Sequence, residues 1–516
     1  MNWYQLQNGS DIRGVALEGI EGEAVNLNEP VAERLGAAFA QWLLTNGDVQ
    51  KRVAVAMDSR ITGPKLKSAF IKGVCGCGLD VLDCGLASTP AMFMCCIDPD
   101  LEVAGAVMLT ASHLPFNRNG MKFFTGEGGF DKQQIGELLQ LAADPSFSAR
   151  GPEGKVEEYD LISAYASRLV GYIRKAVDAD GHDEHPLAGM KIVVDAGNGA
   201  GGFFASRVLD PLGADTRGSQ FLEPDGLFPN HVPNPEDEKA MQAVSEAVQR
   251  EKADLGVIFD TDVDRAALVD RHGRPINRND LIALISTLVL REHPGSGIVT
   301  DSITSTGLKQ FIEGRLGGRH HRFRRGYKNV INEAKRLNAQ GDECWLAIET
   351  SGHAALRENH FLDDGAFLIA KLLVEAARLN QTKKDLGSLI AELVRPLETK
   401  EFRLKIAARD FREAGELVLA QLEELVLHER QWQLEKPNYE GIRVNCMAEN
   451  EQGWFLLRLS LHDPLMPLNI ESDIRGGVSA IAGRLKSLLV AFPELDSSSI
   501  KPSLFFGGSS RPPSYR

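Results

Sequence analysis

No stretch of this sequence reaches about 18 uninterrupted apolar residues, so no membrane-spanning helix is expected. No C-x-x-C pair is matched by a second one, which removes the usual zinc-site spacing. Cysteine is scarce, with 7 residues in all. Cys75, Cys77, Cys84, Cys95 and Cys96 crowd into one apolar region, and Cys344 and Cys446 stand apart. An odd count, and no basic-then-apolar leader behind Asn2, Trp3 and Tyr4, predict reduced thiols and a cytoplasmic setting. Positive charge is in deficit: 57 Lys and Arg against 71 Asp and Glu give −14. That balance argues against a nucleic-acid partner. It leaves an anionic small substrate open, because a local cluster of Arg and Lys can reverse the field inside a site.

What the chain has in quantity is glycine (50 residues), suited to many tight loops, and an ordinary apolar share of 43%. At roughly 100–200 residues per domain, its length predicts about three to five domains. Val53 to Met57 reads as a buried strand, followed by a loop at Asp58-Ser59-Arg60 and a helix from about Pro64. Further strands are expected near Gly78 to Leu82 and at Val103 to Leu109. The pattern recurs with Lys191 to Asp195, a Gly-rich turn at Gly197 to Gly202 and a helix, and then with Leu255 to Phe259. It returns at Ile298 to Asp301 and Trp345 to Ile348. Alternating strands and helices predict α/β layers with mostly parallel sheets. Three such units are expected, at 1–155, 156–273 and 274–393. The segment 394–490 reads as α+β, with a helix over Phe411 to Leu427, strands at Gly441 to Val444, Trp454 to Ser460 and Leu468 to Glu471, and a helix from about Val478. The Ser/Pro/Gly-rich tail, 491–516, is expected to be mobile.

Four polar clusters stand in loops after apolar strands, the usual ligand-binding edge of an α/β sheet. The first is Thr110-Ala111-Ser112-His113-Leu114-Pro115, followed by Asn119-Gly120-Met121-Lys122. A serine hydroxyl is a poor nucleophile unless activated or already modified, and His113 and Lys122 lie beside it in sequence. The alternative is a simple turn cap. The second is Asp260-Thr261-Asp262-Val263-Asp264-Arg265. Three carboxylates at alternate positions repel unless a cation joins them, and oxygen-only ligands favour Mg²⁺ or Ca²⁺. The third is Glu349-Thr350-Ser351-Gly352-His353, able to grip sugar hydroxyls or to cap a helix; the Asp363-Asp364-Gly365 turn after it reads as structural. The fourth, Arg458-Leu459-Ser460, is suited to a phosphate or to an ordinary strand end. Arg13, Arg60, Arg265, Tyr327 and Lys328 are further loop candidates.

In this order the clusters resemble the α-D-phosphohexomutase family, over about residues 8–475. Ser10-Asp11-Ile12-Arg13-Gly14, Asp58-Ser59-Arg60, the Ser112 loop, the Asp260 to Arg265 loop, Gly326-Tyr327-Lys328 and Glu349 to His353 are similar to its successive motifs. Val194 to Gly201 and Pro224-Asp225-Gly226 through Pro235 resemble its structural signatures. The resemblance implies four domains around a central cleft, three of them related α/β units. It implies interconversion of hexose 1-phosphate and 6-phosphate, of glucose or mannose, with a hexose 1,6-bisphosphate as intermediate and activator. Ser112 would carry the phosphoryl group. Mg²⁺ would be held by Asp260, Asp262, Asp264 and an oxygen on phospho-Ser112. Lys122 would be the general base, with His113 and Arg265 orienting the phosphoryl group and His353 a second proton-transfer candidate. Arg13, Arg60, Tyr327, Lys328, Glu349, Ser351, Arg458 and Ser460 would bind substrate.

The departures are Leu114 where Asn is usual, Thr261 and Val263 where Gly is usual, and Leu461-His462-Asp463 in place of a small residue and Thr after Ser460. An altered phosphate loop keeps a hexose-1,6-bisphosphate synthase open as an alternative, beside a phosphoglucosamine mutase and a non-catalytic sugar-phosphate-binding protein. A haloacid-dehalogenase-type hydrolase with Asp260 as nucleophile would leave the other motifs unexplained.

Overall fold

The computed structural model describes residues 2–46, 52–144, 146, 152–178, 183–460 and 463–500. The chain packs as two compact units, Met1–Ile285 with Ser351–Ala391, and Ser286–Thr350 with Glu392 onward.

The first unit holds two sheets. In the larger, strands follow the order Asp11–Val15, Arg118–Thr125, Val103–Leu109, Arg52–Met57, Asp80–Leu86 and Val156–Glu158. The central strands pair in parallel, because helices such as Gly63–Gly76 and Thr89–Ile97 carry the chain back between them. Val53 to Ala56 and Ala106 to Leu109 are fully buried, as expected of strands covered on both faces. Phe39, Phe70, Phe123 and Phe130 fill one side of this layer. In the smaller sheet Leu255–Phe259 lies parallel to Ile192–Asp195 and antiparallel to Ala266–Asp270. Phe259 pairs directly with Ala266, so Asp260 to Arg265 are the loop of a hairpin. The helix expected after the Gly-rich turn is present as a π-helix, Phe204–Leu209, running into a 3₁₀ turn at Asp210–Leu212.

The Gly-rich turn lies against that hairpin loop. Ala200 N donates to the Thr261 carbonyl at 2.8 Å, and a Cβ on Gly199 would lie 2.6 Å from the Thr261 carbonyl oxygen. Gly199→Ala is therefore expected to destabilise the protein by about 1–3 kcal/mol. Denaturant titration checks this, and an unchanged midpoint would separate the turn from the loop.

In the second unit Gly297–Thr300 runs between Arg319–Arg322 and Cys344–Ile348, parallel to both. A six-stranded antiparallel sheet follows, in the order Trp432–Leu434, Ile442–Cys446, Gly453–Leu457, Leu465–Ser472, Glu398–Ile406 and Leu495–Asp496. Helices Phe411–Leu427 and Gly477–Leu489 pack on it through Val418, Leu422, Ile481 and Leu485. The expectation of a mobile tail is corrected over 491–500. Leu495 pairs with Ile406, and Ile500 is fully buried in this core, so the chain there is held by sheet bonds and apolar packing. Residues 501–516 lie outside the described residues.

All seven cysteines are free thiols, six of them buried. Among the described residues no helix is long and apolar enough to cross a membrane.

Candidate active site

The first unit brings Ser112, His113, Lys122, the three hairpin aspartates, Arg265 and His353 into one buried cluster. Ser112 follows strand Val103–Leu109 with φ +51°, a left-handed conformation that costs a non-glycine residue roughly 1 kcal/mol. Its N–H donates to Thr110 Oγ1 at 2.9 Å, which fixes the turn. Its hydroxyl accepts from Arg265 Nη2 at 3.0 Å and donates to Asp260 Oδ2 at 3.1 Å. His113 Nδ1 accepts from the same Arg265 nitrogen at 2.5 Å. Burial, then the charges of Arg265 and Arg13, push His113 down to about 2, so it stays neutral at physiological pH.

Asp260, Asp262 and Asp264 converge, with one oxygen from each lying within 4.8 Å of the others. All three are buried. Asp262 Oδ1 and Asp264 Oδ1 are buried with no hydrogen-bond partner. Burial and the neighbouring Asp264 and Asp262 charges drive Asp260 well above the usual carboxylate range. Three converging carboxylates with two orphaned oxygens are the donor set a hard divalent cation satisfies, so these residues could hold a metal ion. Lys122 Nζ donates to Asp262 Oδ2 at 2.8 Å and to Asp264 Oδ2 at 2.5 Å, which supplies part of the positive charge the cluster requires. Val263 has φ +68°, so the position where glycine was expected takes the conformation glycine favours, here with a β-branched side chain.

His353 reaches the cluster from the segment after Gly352. Its Nδ1 lies 2.6 Å from Asp363 Oδ2 and 3.8 Å from Asp264 Oδ1. Burial alone would lower its pKa; the Asp363 and Asp264 carboxylates outweigh it and raise it to about 9. The imidazolium is thus the form at neutral pH. Its stabilising contribution is complete below the ordinary histidine value near 6.5 and is lost as pH rises through about 9. Asp363→Asn should remove this bias and bring the alkaline limb of the stability profile down toward pH 6.5. Thermal melts across pH 6 to about 10 check the shift.

Two residues here were missed by sequence reasoning. Asp363, read as part of a structural turn, orients His353. Thr89, at the start of helix Thr89–Ile97, donates its backbone N–H to the Asp262 carbonyl at 2.9 Å and its hydroxyl to Asp262 Oδ2. Its only sequence signal is the Ser88-Thr89-Pro90 helix start after a strand.

Arg60 is corrected. It was expected to bind substrate, yet it is 1% exposed. Its guanidinium donates to the carbonyls of Ser112, Leu114, Pro115 and Arg118 and pairs with Asp58 at 3.2 Å. Its four Nη donors hold the serine loop, and its Nε, 3.2 Å from Asp58 Oδ2, is buried without a hydrogen bond. A Cβ on Gly226 would lie 2.5 Å from Ile61 N, so the Pro224-Asp225-Gly226 signature packs against the same loop. Arg13 sits beside it, donating to Asp11 at 3.0 Å and to the Ala111 carbonyl at 3.4 Å. Ser351 Oγ is buried without a partner in the first unit.

Tyr327, Lys328, Glu349, Arg458 and Ser460 belong to the second unit. There Glu349 Oε1 accepts from Gly326 N at 2.6 Å, which ties the Gly326-Tyr327-Lys328 turn to the end of strand Cys344–Ile348. Ser460 Oγ accepts from Asp463 N at 3.3 Å, and Leu461 and His462 lie outside the described residues.

A hydroxyl, an arginine and a carboxylate trio brought together at strand ends of α/β layers can carry a phosphoryl group and neutralise its charge. Family models for alpha/beta/alpha domains I, II and III of phosphoglucomutase/phosphomannomutase match residues 5–145, 163–273 and 277–397. The chain belongs to the phosphoglucomutase/phosphomannomutase family. It is 30% identical to a phosphomannomutase/phosphoglucomutase of Pseudomonas aeruginosa over 490 residues, 95% of each chain. It is 29% identical to a phosphoglucomutase of Neisseria meningitidis, covering 94% of this chain and 96% of that one. The crystal structure of a phosphoglucomutase/phosphomannomutase family protein from Burkholderia thailandensis matches with a TM-score of 0.76 at 26% identity, over 94% of this chain and 96% of that one.

Proposed function

We propose that this chain is a magnesium-dependent phosphohexomutase that moves a phosphoryl group between the 1- and 6-positions of glucose or mannose phosphate by way of phospho-Ser112. The observation that carries the reading is the Ser112 hydroxyl, poised in a left-handed turn between the Arg265 donor and the Asp260 acceptor.

In the forward half-reaction the bond between phosphorus and Ser112 Oγ breaks and a bond from phosphorus to a sugar hydroxyl oxygen forms. Catalysis of phosphoryl transfer is mainly positioning and charge neutralisation. Arg265, already on Ser112 Oγ, stabilises charge on the leaving serine oxygen. Neutral His113 accepts from Arg265 and fixes its orientation. Lys122 is assigned as the base: its ammonium, paired with Asp262 and Asp264, first releases a proton to solvent, and the neutral amine then takes the proton of the sugar hydroxyl. His353, held by Asp363, keeps a proton close to Asp264 and adds positive charge. Arg60 and Thr110 keep the serine in place. Asp260, Asp262 and Asp264 would hold Mg²⁺, which supplies electrostatic stabilisation of the transferring phosphoryl oxygens. In the second half-reaction the other phosphate of the bisphosphate returns to Ser112. Glu349 and Ser351 are assigned to the sugar hydroxyls, and Arg13, Tyr327, Lys328, Arg458 and Ser460 to substrate contacts.

Glucose 1-phosphate and mannose 1-phosphate, each with Mg²⁺ and a trace of the matching 1,6-bisphosphate, are expected to give the 6-phosphates. Phosphorus NMR reads both. Net accumulation of bisphosphate from a phosphosugar donor would instead indicate a synthase, the alternative that the altered Leu461-His462-Asp463 sequence after Ser460 keeps open. Loss of neither monophosphate would contradict both.

A further inference from the structure

Asp262 is held from outside its own hairpin, by the start of helix Thr89–Ile97. That start reads Ser88-Thr89-Pro90. Ser88 Oγ caps the helix by accepting from Ala91 N at 3.3 Å. Pro90 brings no N–H to satisfy. Thr89 is the first helical residue, so its N–H has no partner within the helix. It is 4% exposed, and both of its donors go to Asp262: the N–H to the carbonyl at 2.9 Å, the hydroxyl to Oδ2.

Lys122 Nζ reaches the same Oδ2 at 2.8 Å. That oxygen therefore carries two donors, while Asp262 Oδ1 is buried with none. Asp264 is divided the same way: Oδ2 takes Lys122, and Oδ1 has no hydrogen bond. Asp260 Oδ2 takes Ser112 Oγ and two guanidinium nitrogens of Arg265, against a single backbone N–H on Oδ1. Each aspartate thus has one oxygen crowded by protein donors and one open or nearly open.

This asymmetry bears on which cation the trio takes. Mg²⁺ is small and is commonly bound through single carboxylate oxygens, keeping several waters. Ca²⁺ is larger, takes roughly six to eight oxygens and readily uses both oxygens of one carboxylate. Tying up the second oxygen of each aspartate withholds ligands that the larger ion needs. Of the two donors on Asp262 Oδ2, the Lys122 ammonium is the one assigned to lose its proton during the reaction. The Thr89 hydroxyl is neutral and does not titrate, so it is the constant hold on that oxygen.

We propose that Thr89 is a positioning residue that sets cation choice: by occupying Asp262 Oδ2 it makes the trio present single oxygens, and the centre prefers Mg²⁺ to Ca²⁺. This rests on the reading of the aspartates as a cation site in the proposed function.

Calorimetric titration of the full-length protein with magnesium chloride and with calcium chloride tests it, on the wild type, Thr89→Val and Thr89→Ser. The wild type is expected to bind Mg²⁺ at least about tenfold more tightly than Ca²⁺. Thr89→Val keeps the β-branched shape and the backbone N–H and loses only the hydroxyl. It is expected to weaken Mg²⁺ binding about 10- to 100-fold and Ca²⁺ binding less than about threefold, so the preference collapses. Thr89→Ser returns the hydroxyl and should bring the preference back to within about threefold of wild type. A general loosening of the fold would weaken both ions alike, so equal losses for Mg²⁺ and Ca²⁺ overturn the proposal. Mg²⁺ binding by Thr89→Val within about twofold of wild type does the same. The wild type alone also decides: Ca²⁺ bound as tightly as Mg²⁺ overturns the proposal with no variant needed. A wild type that takes up neither ion removes the cation site and the proposal with it. If the preference shifts as expected while the wild type turns over no hexose phosphate, Thr89 keeps this role and the mutase reading falls.

Discussion

Ser112→Ala is expected to lose phosphosugar turnover by a factor on the order of 10⁴ or more, with KM little changed. The hydroxyl is the only atom of the cluster placed to accept a phosphoryl group while Arg265 and Asp260 both contact it. Removing it leaves Arg265, the carboxylates and the fold in place. The backbone strain adds a second signature. At φ +51° a Cβ is disfavoured, so Ser112→Gly should be as inactive as Ser112→Ala yet more stable than it by about 1 kcal/mol. Denaturant titration of the two variants side by side reads the difference. Activity in either variant within about tenfold of wild type would remove Ser112 from the reaction path.

Lys122→Met is expected to act on both activity and stability. Lys122 is the buried cation paired with Asp262 and Asp264, its side chain 6% exposed. Taking it away leaves buried carboxylates without their partner, which should destabilise the metal-free protein by about 3–5 kcal/mol. The same change removes the proposed base and should lower kcat by a factor on the order of 10²–10⁴. Mg²⁺ separates the two effects. A cation bound to the folded state alone stabilises it by mass action, so millimolar Mg²⁺ should restore much of the thermal stability of Lys122→Met and none of its turnover. A variant equally stable with and without Mg²⁺ would show that the aspartates do not take up the ion.

Much of this site is legible in the sequence because its parts are local. Ser112 and the aspartates each follow an apolar, largely buried strand, Val103–Leu109 and Leu255–Phe259, and a polar cluster at such a strand end has few structural uses. What escaped has no local signature. Asp363 sits on a two-residue strand and acquires its role only because the fold sets it 2.6 Å from His353. The part played by Arg60 depends on backbone carbonyls, which any residue supplies, so the sequence marks the donor and not its acceptors. Strand Glu398–Ile406 was overlooked for a related reason. Only Phe402, Leu404 and Ile406 alternate inward, and the charged Glu398 to Glu401 half disguises it.

The central claim, that the phosphoryl group passes through Ser112, is met most directly by intact-mass measurement of the wild type and Ser112→Ala after incubation with glucose 1,6-bisphosphate and Mg²⁺. The expected result is one added phosphoryl group on the wild type, discharged by excess glucose 1-phosphate or 6-phosphate, and none on the variant. A wild type that stays unmodified while turning over substrate, or a variant that carries the same phosphate, would contradict it.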